Sequence, residues 1–256
     1  DTEMKPTLIL ESIKMLLFEN IDLLSLFPNR KATTFIDKVV SVTIGWVIFS
    51  WIPLVLSNRS KLPIFSTAFG QFLLFKKSSY QAIGGHKRIK LEILDDFELG
   101  RNISREKLKL KIINGVNYID TFSFKTEREA MDGFVRAIFP AFLHSLIGFS
   151  IFFILFISIT FVPFIIYLVQ FFDITLDQTK LSLIFLIWIL LTCSWVLTSL
   201  KTKQSILLAI LFPIVTLSTS LIGLYSVFSF FFENINWKNR EIIFEQEEEE
   251  EKQLSK

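Results

Sequence analysis

The stretch AIFPAFLHSLIGFSIFFILFISITFVPFIIYLVQFF, which runs from Ala137 to Phe172, contains no Asp, Glu, Lys or Arg. A helix that crosses a lipid bilayer needs about 20 consecutive apolar residues. The stretch exceeds that requirement, so it can cross a membrane with residues to spare. We therefore predict a membrane-spanning helix over residues 143–170.

Two further blocks without charged residues follow, at 181–200 and 205–232. Leu, Ile, Phe and Val each favour insertion at the centre of a span by roughly 0.3–0.6 kcal/mol, and such residues are abundant in both blocks. Residues 136–232 are therefore predicted to form an all-α transmembrane region of three helices. The alternative, three buried helices of a soluble core, would need more covering surface than a chain of 256 residues supplies.

The overall composition agrees with this separation into apolar and polar segments. Hydrophobic residues make up 51% of the chain although 20% of its residues are charged. The net charge of +2 is too small to indicate a nucleic-acid partner, and no basic stripe is present. The single cysteine, Cys193, excludes an internal disulfide and a cysteine-based metal site.

The charges of the loops predict which side of the membrane each segment occupies. Lys201 and Lys203 make one loop basic, whereas Asp173 and Asp177 make the preceding loop acidic. Because basic loops stay in the cytoplasm, the Lys201 loop and the Lys- and Arg-rich residues before Arg136 are predicted to be cytoplasmic. The chain is thus expected to be a multi-pass integral membrane protein.

The polar acidic tail, residues 233–256, contains a run of glutamates and is expected to be solvated. It would lie outside if the block at 205–232 crosses once. Pro213 and Gly223 could instead let that block double back, which leaves the side of the tail open.

A fourth apolar stretch, residues 39–56, is also long enough to span a membrane. A single crossing here would put the residues before it and those after it on opposite sides of the membrane, although both are expected to contribute to one site. We therefore interpret it as a re-entrant, interfacial or buried helix bent by Pro53.

In residues 60–135, short segments with strand-like patterns alternate with segments that have helical patterns, which is typical of α/β structure. A short strand is predicted over 70–75, followed by a helix over 79–83 that Ser78 caps. Gly84 is expected to end this helix in a left-handed conformation, with Gly85 and His86 in a tight loop.

Further along, a helix is predicted to open near Asp95 and to turn Phe97, Leu99 and Ile103 inward. Residues 108–112 alternate like a strand, and Asn114–Gly115 is typical of a hairpin turn that leads into a return strand over 116–119. Residues 126–139 have helical spacing, which fits either an amphipathic helix at the membrane surface or an ordinary surface helix.

Asp95 and Asp96 stand together at this predicted helix start, where the backbone N–H groups favour carboxylates. One carboxyl of a close pair can have a raised pKa, which suits a general base. The alternative is that both residues only cap the helix.

The wider pattern carries a resemblance. Residues 70–86 read GQFLLFKKSSYQAIGGH, and residues 95–100 read DDFELG. This order resembles the acceptor half of family 2 glycosyltransferases, in which a glycine-containing strand, a basic pair and a Gly-Gly turn precede Glu-Asp-x-x-Leu. Asp95 stands where that family usually has Glu, and Asp96 falls on the position of its catalytic base.

Both ends of the chain extend the resemblance. Asp1-Thr2 followed by Pro6 resembles the end of the family's metal-binding Asp-x-Asp motif, which makes Asp1 its last carboxylate. Residues 22–28 and 236–240 are similar to segments of membrane glycosyltransferases that act on carotenoids, hopanoid-like lipids and ceramide. Asn239 departs from the glycine usual there.

The resemblance implies an α/β fold for residues 1–135, a partial GT-A-like catalytic portion that lacks most of the nucleotide-binding half, so that this fragment alone is expected to be inactive. It implies a nucleotide-sugar donor, a lipid acceptor and a divalent metal, Mg²⁺ or Mn²⁺, on Asp1. Asp96 would act as base in an inverting transfer, with Asp95 beside it. The donor and acceptor would contact a set of further residues: Gly70, Gln71, Gly84, Gly85, His86 and Arg136.

The family's Gln-x-x-Arg-Trp motif of processive synthases is missing, which favours transfer of a single sugar. Arg136 could touch a diphosphate or simply extend to the membrane interface, and His86 could be structural. The alternatives for the whole chain are a non-enzymatic multi-pass membrane protein and an inactive transferase scaffold. Imidazole and amide side chains occur only at or near the ends of the predicted spans, at His144, Gln170 and Gln204, so no transport path is apparent.

Overall fold

The computed structural model describes residues 2–51, 58, 66–90, 92, 94–169 and 177–232, and the backbone of 236–237 and 240–241. Helices dominate, and the strands form small sheets. The strands are β1 (Thr2–Met4), β2 (Leu23–Phe27), β3 (Asn29–Arg30), β4 (Leu73–Phe75), β5 (Leu110–Asn114), β6 (Ile119–Thr121), β7 (Asn236–Trp237) and β8 (Arg240–Glu241). The helices are α1 (Leu8–Phe18), α2 (Phe35–Ser50), α3 (Lys77–Ala82), α4 (Gly85–Arg88), α5 (Asp95–Arg105), α6 (Glu127–Ile138), α7 (Leu146–Val169), α8 (Gln178–Thr202), α9 (Ile206–Ile210) and α10 (Phe212–Phe232), with a short 3₁₀ turn at Pro140–Phe142.

Two three-stranded mixed sheets form the α/β portion. In the first, β2 pairs antiparallel with β4 and parallel with β5. In the second, β6 pairs antiparallel with β1 and parallel with β3. Because β3 follows β2 and β6 follows β5, the chain passes twice from the first sheet to the second.

The predicted hairpin at Asn114–Gly115 is wrong, since β5 and β6 pair with other strands and not with each other. Gly115 instead carries the chain between the sheets. Its N–H donates to the Phe27 carbonyl at 2.8 Å, and a Cβ at this position would lie 2.8 Å from the Leu26 Cβ. Only a residue without a side chain fits so close to β2.

The outer edge of β5 is covered by the side-chain amide of Asn58. Its Nδ2 donates to the Ile112 carbonyl at 3.0 Å, and its Oδ1 accepts the Ile112 N–H at 2.6 Å. The amide therefore takes the place that a neighbouring strand would occupy.

Helix α2 lies between the sheets and the apolar helices. Its Ile48 packs in the sheet core with Leu23 and Leu99, while its Trp46 stacks on Trp195 of α8 at a centroid distance of 4.6 Å. Nine of its residues are buried. Of the three interpretations of residues 39–56, the structure favours a buried helix, which begins at Phe35 and ends at Ser50. The predicted bend at Pro53 lies outside the described residues.

Three helices, α7, α8 and α10, are long and apolar enough to cross a membrane. The block predicted at 143–170 begins three residues later, at Leu146, and the block at 181–200 extends to Gln178–Thr202. The block at 205–232 is not one helix, because it divides at Leu211 into α9 and α10.

The contacts between these helices give their directions. Trp195 and Trp188 of α8 meet Phe156 and Phe164 of α7, so α8 runs antiparallel to α7. Helix α10 also runs antiparallel to α7, because Thr216 contacts Thr160 while Gly223 faces the Phe153 ring.

The start of α10 lies deep in the bundle. Phe212 packs against Trp188 and Trp195 in the middle of α8, with centroid distances of 5.1 and 5.7 Å. At the other end of α10, Phe230 meets Phe139, just before α7 begins. Helices α9 and α10 therefore form a hairpin that enters the bundle after Thr202 and returns to the end from which it came.

Helix α6 matches the amphipathic helix predicted at 126–139, with Thr126 accepting the Glu129 N–H as its N-cap. Its apolar face packs on protein: Ala130 and Phe134 form a cluster with Val40 of α2 and Ile222 of α10. That face is therefore covered by neighbouring helices, which agrees with the ordinary surface helix of the two predicted settings.

Candidate functional site

The predicted base, Asp96, lies in the first turn of α5, which begins at Asp95 as predicted. Leu99 and Ile103 point into the sheet core, and Phe97 is only half-buried. Gly100 lets the helix approach the chain before β4, because a Cβ there would lie 3.1 Å from the Thr67 carbonyl carbon. Asp96 is on this close face of α5.

The carboxylate of Asp96 is held by backbone N–H groups. Its Oδ2 accepts the Gly70 N–H at 2.8 Å, and its Oδ1 accepts the Phe97 N–H at 2.9 Å. A Cβ at Gly70 would lie only 3.1 Å from Oδ2. The glycine at position 70 thus permits the close contact that orients the carboxylate.

Burial raises the pKa of the Asp96 carboxyl above its ordinary value. The hydrogen bonds from Gly70 and Phe97 act in the opposite direction because they favour the charged form, and the nearby Asp95 charge adds to the increase. Asp95 itself is exposed, and its Oδ1 accepts the Asp96 N–H at 2.9 Å. The two carboxyls therefore have different surroundings, as the general-base hypothesis requires.

The loop that carries Gly70 is fixed to the middle of β2. The Phe69 N–H donates to the Ser25 hydroxyl at 2.8 Å, and β4 then runs back antiparallel along β2. Gln71, half-buried, follows in the same loop.

The Gly-Gly segment forms a second part of the site region. Gly84 has a φ of +80°, which confirms the predicted left-handed conformation. Ser78 does not cap the preceding helix, because α3 begins at Lys77 and has no side-chain cap. Gly85 and His86 are not in a loop, since they open the short helix α4.

Tyr80 explains why Gly85 has no side chain. A Cβ on Gly85 would lie 2.5 Å from the Tyr80 ring, whose hydroxyl contacts the His86 Nδ1 at 2.7 Å and accepts the His86 N–H at 3.0 Å. His86 is exposed and held by Tyr80. The sequence offered no direct signal for this role of Tyr80.

The structure attaches these two parts to one core. Ile83 and Ile89, on either side of the Gly-Gly segment, pack in the same cluster as Leu99 and Ile103 of α5. Arg136 lies in the last turn of α6, whose buried face packs on α2 and α10. The assignment of Arg136 to the donor site stays a prediction.

The predicted metal ligand Asp1 lies outside the described residues. Its neighbour Thr2 opens β1, which pairs with β6 in the second sheet. Within the described ranges, no group of three or more His, Cys, Asp and Glu side chains could hold a metal ion. The assignment of Mg²⁺ or Mn²⁺ to Asp1 stays a prediction.

Sequence reasoning missed a polar cavity on the other side of α5. It has a volume of about 160 Å³. Three of its charged residues recur at helical spacing along one face of α5, a signal that could have indicated a shared surface. The lining residues are Glu92, Leu94, Glu98, Arg101, Arg105, Pro140, Leu143 and His144.

Comparison with known proteins gives no match to a family model, a curated protein or a solved structure.

Proposed function

We propose that this chain is the acceptor-side part of a membrane glycosyltransferase that moves one sugar from a nucleotide-sugar to a lipid hydroxyl. The observation that carries the proposal is the Asp96 carboxyl, which has a raised pKa and is oriented by the Gly70 N–H. The three helices that are long and apolar enough to cross a membrane support a substrate that arrives through the bilayer.

In the proposed reaction Asp96 accepts the proton of the acceptor hydroxyl. The hydroxyl oxygen forms a bond to the anomeric carbon, while the bond from that carbon to the nucleotide diphosphate breaks on the opposite face. The configuration of the sugar is therefore inverted. A base works best when its pKa is near the working pH, which the burial of Asp96 favours.

The proposal includes a divalent cation, for which Asp1 is the one ligand that it names. Carboxylate oxygens are the ligands that Mg²⁺ and Mn²⁺ prefer, and such an ion would neutralise charge on the departing diphosphate. The metal would act on the departing diphosphate, whereas the N–H groups of Gly70 and Phe97 would act on the acceptor side of the reaction by holding the Asp96 carboxylate in place.

The proposed location of the α/β portion is the cytoplasm. Two hydrogen bonds tie it to the end of α8 and the loop that follows: Asn114 Nδ2 donates to the Lys201 carbonyl at 3.2 Å, and Gln204 Nε2 donates to the Arg30 carbonyl at 3.1 Å. This segment carries Lys201 and Lys203, and basic loops favour the cytoplasmic side. The returning direction of α10 supports a cytoplasmic tail as well.

Transfer can be tested in membranes from cells that express the full-length protein that contains this chain, supplied with radiolabelled nucleotide-sugars and extracted for lipids. We expect Asp96→Asn to remove label from the lipid fraction. Asp95→Asn is the matched control, because it removes an adjacent but exposed carboxylate, and it should retain most transfer.

Gly70→Ala provides a second variant that leaves the carboxylate in place. Its new Cβ would displace the Asp96 oxygen, so transfer should fall while the protein remains in the membrane fraction. Full transfer by Asp96→Asn would reject the base assignment. If no nucleotide-sugar labels any lipid with the unmodified protein, the non-enzymatic alternative is favoured.

A further inference from the structure

The polar cavity lies where the α/β portion meets the apolar helices. One wall is the face of α5 that carries Glu98, Arg101 and Arg105, and the other is the turn from Pro140 to His144 that precedes α7. Arg101 joins the two walls, since its Nη2 donates to the Ala141 carbonyl at 3.1 Å.

Two guanidinium groups share one carboxylate in this cavity. Arg101 Nη1 donates to Glu98 Oε2 at 3.2 Å, and Arg105 Nη1 donates to Glu98 Oε1. Arg101 and Glu98 are each only 9% exposed, whereas 45% of the Arg105 side chain is exposed at the mouth. The remaining acid, Glu92, is on the exposed rim, where solvent screens its charge.

The turn supplies an uncharged group to the same cavity. Leu143 and His144 have φ values of +59° and +55°, which sets the turn tightly before α7. Burial lowers the pKa of His144, and the positive charge of Arg101 lowers it further. The imidazole is therefore an uncharged group at neutral pH.

The mouth of the cavity continues into an apolar surface. Leu143 and Leu146 are about half exposed, and Ile147, in the first turn of α7, is 75% exposed. A polar recess with cationic groups beside an exposed apolar rim matches an amphiphile with an anionic headgroup.

We infer that this cavity binds the phosphate group of a membrane lipid, with Arg101 and Arg105 donating to its oxygens and the acyl chains lying along the start of α7. Guanidinium groups suit phosphate because they donate two parallel N–H bonds.

This site is separate from Asp96. On a helix with 100° per residue, Arg101 and Arg105 are rotated by roughly 140° and 180° from Asp96. The bound lipid would therefore be a resident of the junction and not the sugar acceptor, and the inference does not rest on the proposed transferase function.

Photo-crosslinking of the full chain in detergent micelles tests the inference. The probe is a phosphatidic acid with a diazirine at the start of one acyl chain, and labelled peptides are identified by mass spectrometry. We expect labels within residues 140–150 that a diacylglycerol with the same diazirine does not give. In Arg105→Gln the contact from Arg105 is lost, so the probe concentration that gives half-maximal labelling should rise about tenfold.

Two further variants separate charge from geometry. Arg101→Lys keeps the charge but loses the paired donors, so labelling should again weaken. Arg128→Gln removes an arginine of α6 whose side chain is 93% exposed, and it should label like the unmodified protein. Thermal unfolding of each variant verifies that it is folded.

Equal labelling by the diacylglycerol probe, or unchanged labelling in both Arg105→Gln and Arg101→Lys, would overturn the inference. Inorganic phosphate distinguishes the two sources of the same chemistry. If millimolar phosphate displaces the lipid probe completely, the cavity is a site for a soluble anion and the lipid assignment fails.

Discussion

Asp95 and Asp96 are neighbours in the chain with opposite surroundings. Asp95 is exposed and accepts one backbone N–H, whereas Asp96 accepts two and is partly removed from water. The difference arises from Gly70 and Gly100, which let the chain before β4 approach α5. Small residues at two positions therefore give one carboxyl of the pair its raised pKa.

The raised pKa of Asp96 predicts a pH-dependent effect on stability. A carboxyl with a raised pKa contributes its full stability below the ordinary value of 3.8, and this contribution is lost as the pH rises through the folded-state pKa. Asp96→Asn has no such loss. Its melting temperature relative to the unmodified protein should therefore increase between about pH 4 and pH 7.

Thermal unfolding in detergent at several pH values measures this difference. Asp95→Asn serves as the control for removing one negative charge from the helix start. A difference between Asp96→Asn and the unmodified protein that stays constant across the pH range would contradict the assigned environment of Asp96.

At the residue scale the sequence predicted the Asp pair and the left-handed Gly84. It could not predict Tyr80 above Gly85, because that contact depends on the path of the chain between α3 and α4. The hydrogen bond from Gly70 to Asp96 joins positions 26 residues apart, and no local pattern indicates such a pairing.

Among the elements, α2 and α6 illustrate what periodicity can and cannot predict. The apolar character of both segments predicted that each buries a face, and both helices form near the expected bounds. Their partners were not predictable, because α2 meets the sheets and the apolar helices at the same time. The predicted hairpin at Asn114–Gly115 was wrong for a related reason: a turn dipeptide does not specify which strand the following segment pairs with.

Replacing two buried serines should have contrasting effects on the free energy of unfolding. Ser226 of α10 donates to the Val135 carbonyl and accepts the Phe139 N–H at 3.0 Å. Ser226→Ala should cost about 1–3 kcal/mol, because it leaves the Phe139 N–H without its partner. Ser199 of α8 is equally buried, yet its hydroxyl has no hydrogen-bond partner in the described part of the chain.

Ser199→Ala should therefore leave stability unchanged or raise it. Denaturant unfolding of both variants in the same detergent gives the comparison. If Ser199→Ala is as destabilising as Ser226→Ala, the lost hydrogen bond between α10 and the end of α6 does not explain the decrease in the free energy of unfolding.

At the scale of the whole molecule, the apolar blocks predicted three membrane-crossing segments, and the structure contains three helices of suitable length and composition. Composition could not give the direction of α10. That direction depends on Phe212 packing deep against α8 and on Phe230 meeting Phe139. A largely apolar helix of 21 residues can therefore end at the same end of the helical bundle at which the segment that contains it entered.

Single-cysteine labelling tests this path. In a Cys193→Ser background, Lys201→Cys and Ser255→Cys should react with an impermeant maleimide in inside-out vesicles, whereas Thr175→Cys should not. This labelling pattern is expected if α7 and α8 cross the membrane and the segment formed by α9 and α10 returns to the side of Lys201. Reaction of Ser255→Cys from the same side as Thr175→Cys would mean that α10 crosses.

The amide of Asn58 has a consequence for how this protein avoids sticking to itself. An uncovered strand at the margin of a sheet offers its N–H and C=O groups as a template for another chain, the usual first step toward fibrils. By occupying both groups of Ile112, Asn58 removes the centre of that template on β5. Replacing Asn58 with Ala would free the N–H and C=O of Ile112 in the middle of β5, so its harm should appear as concentration-dependent precipitation before any loss of melting temperature.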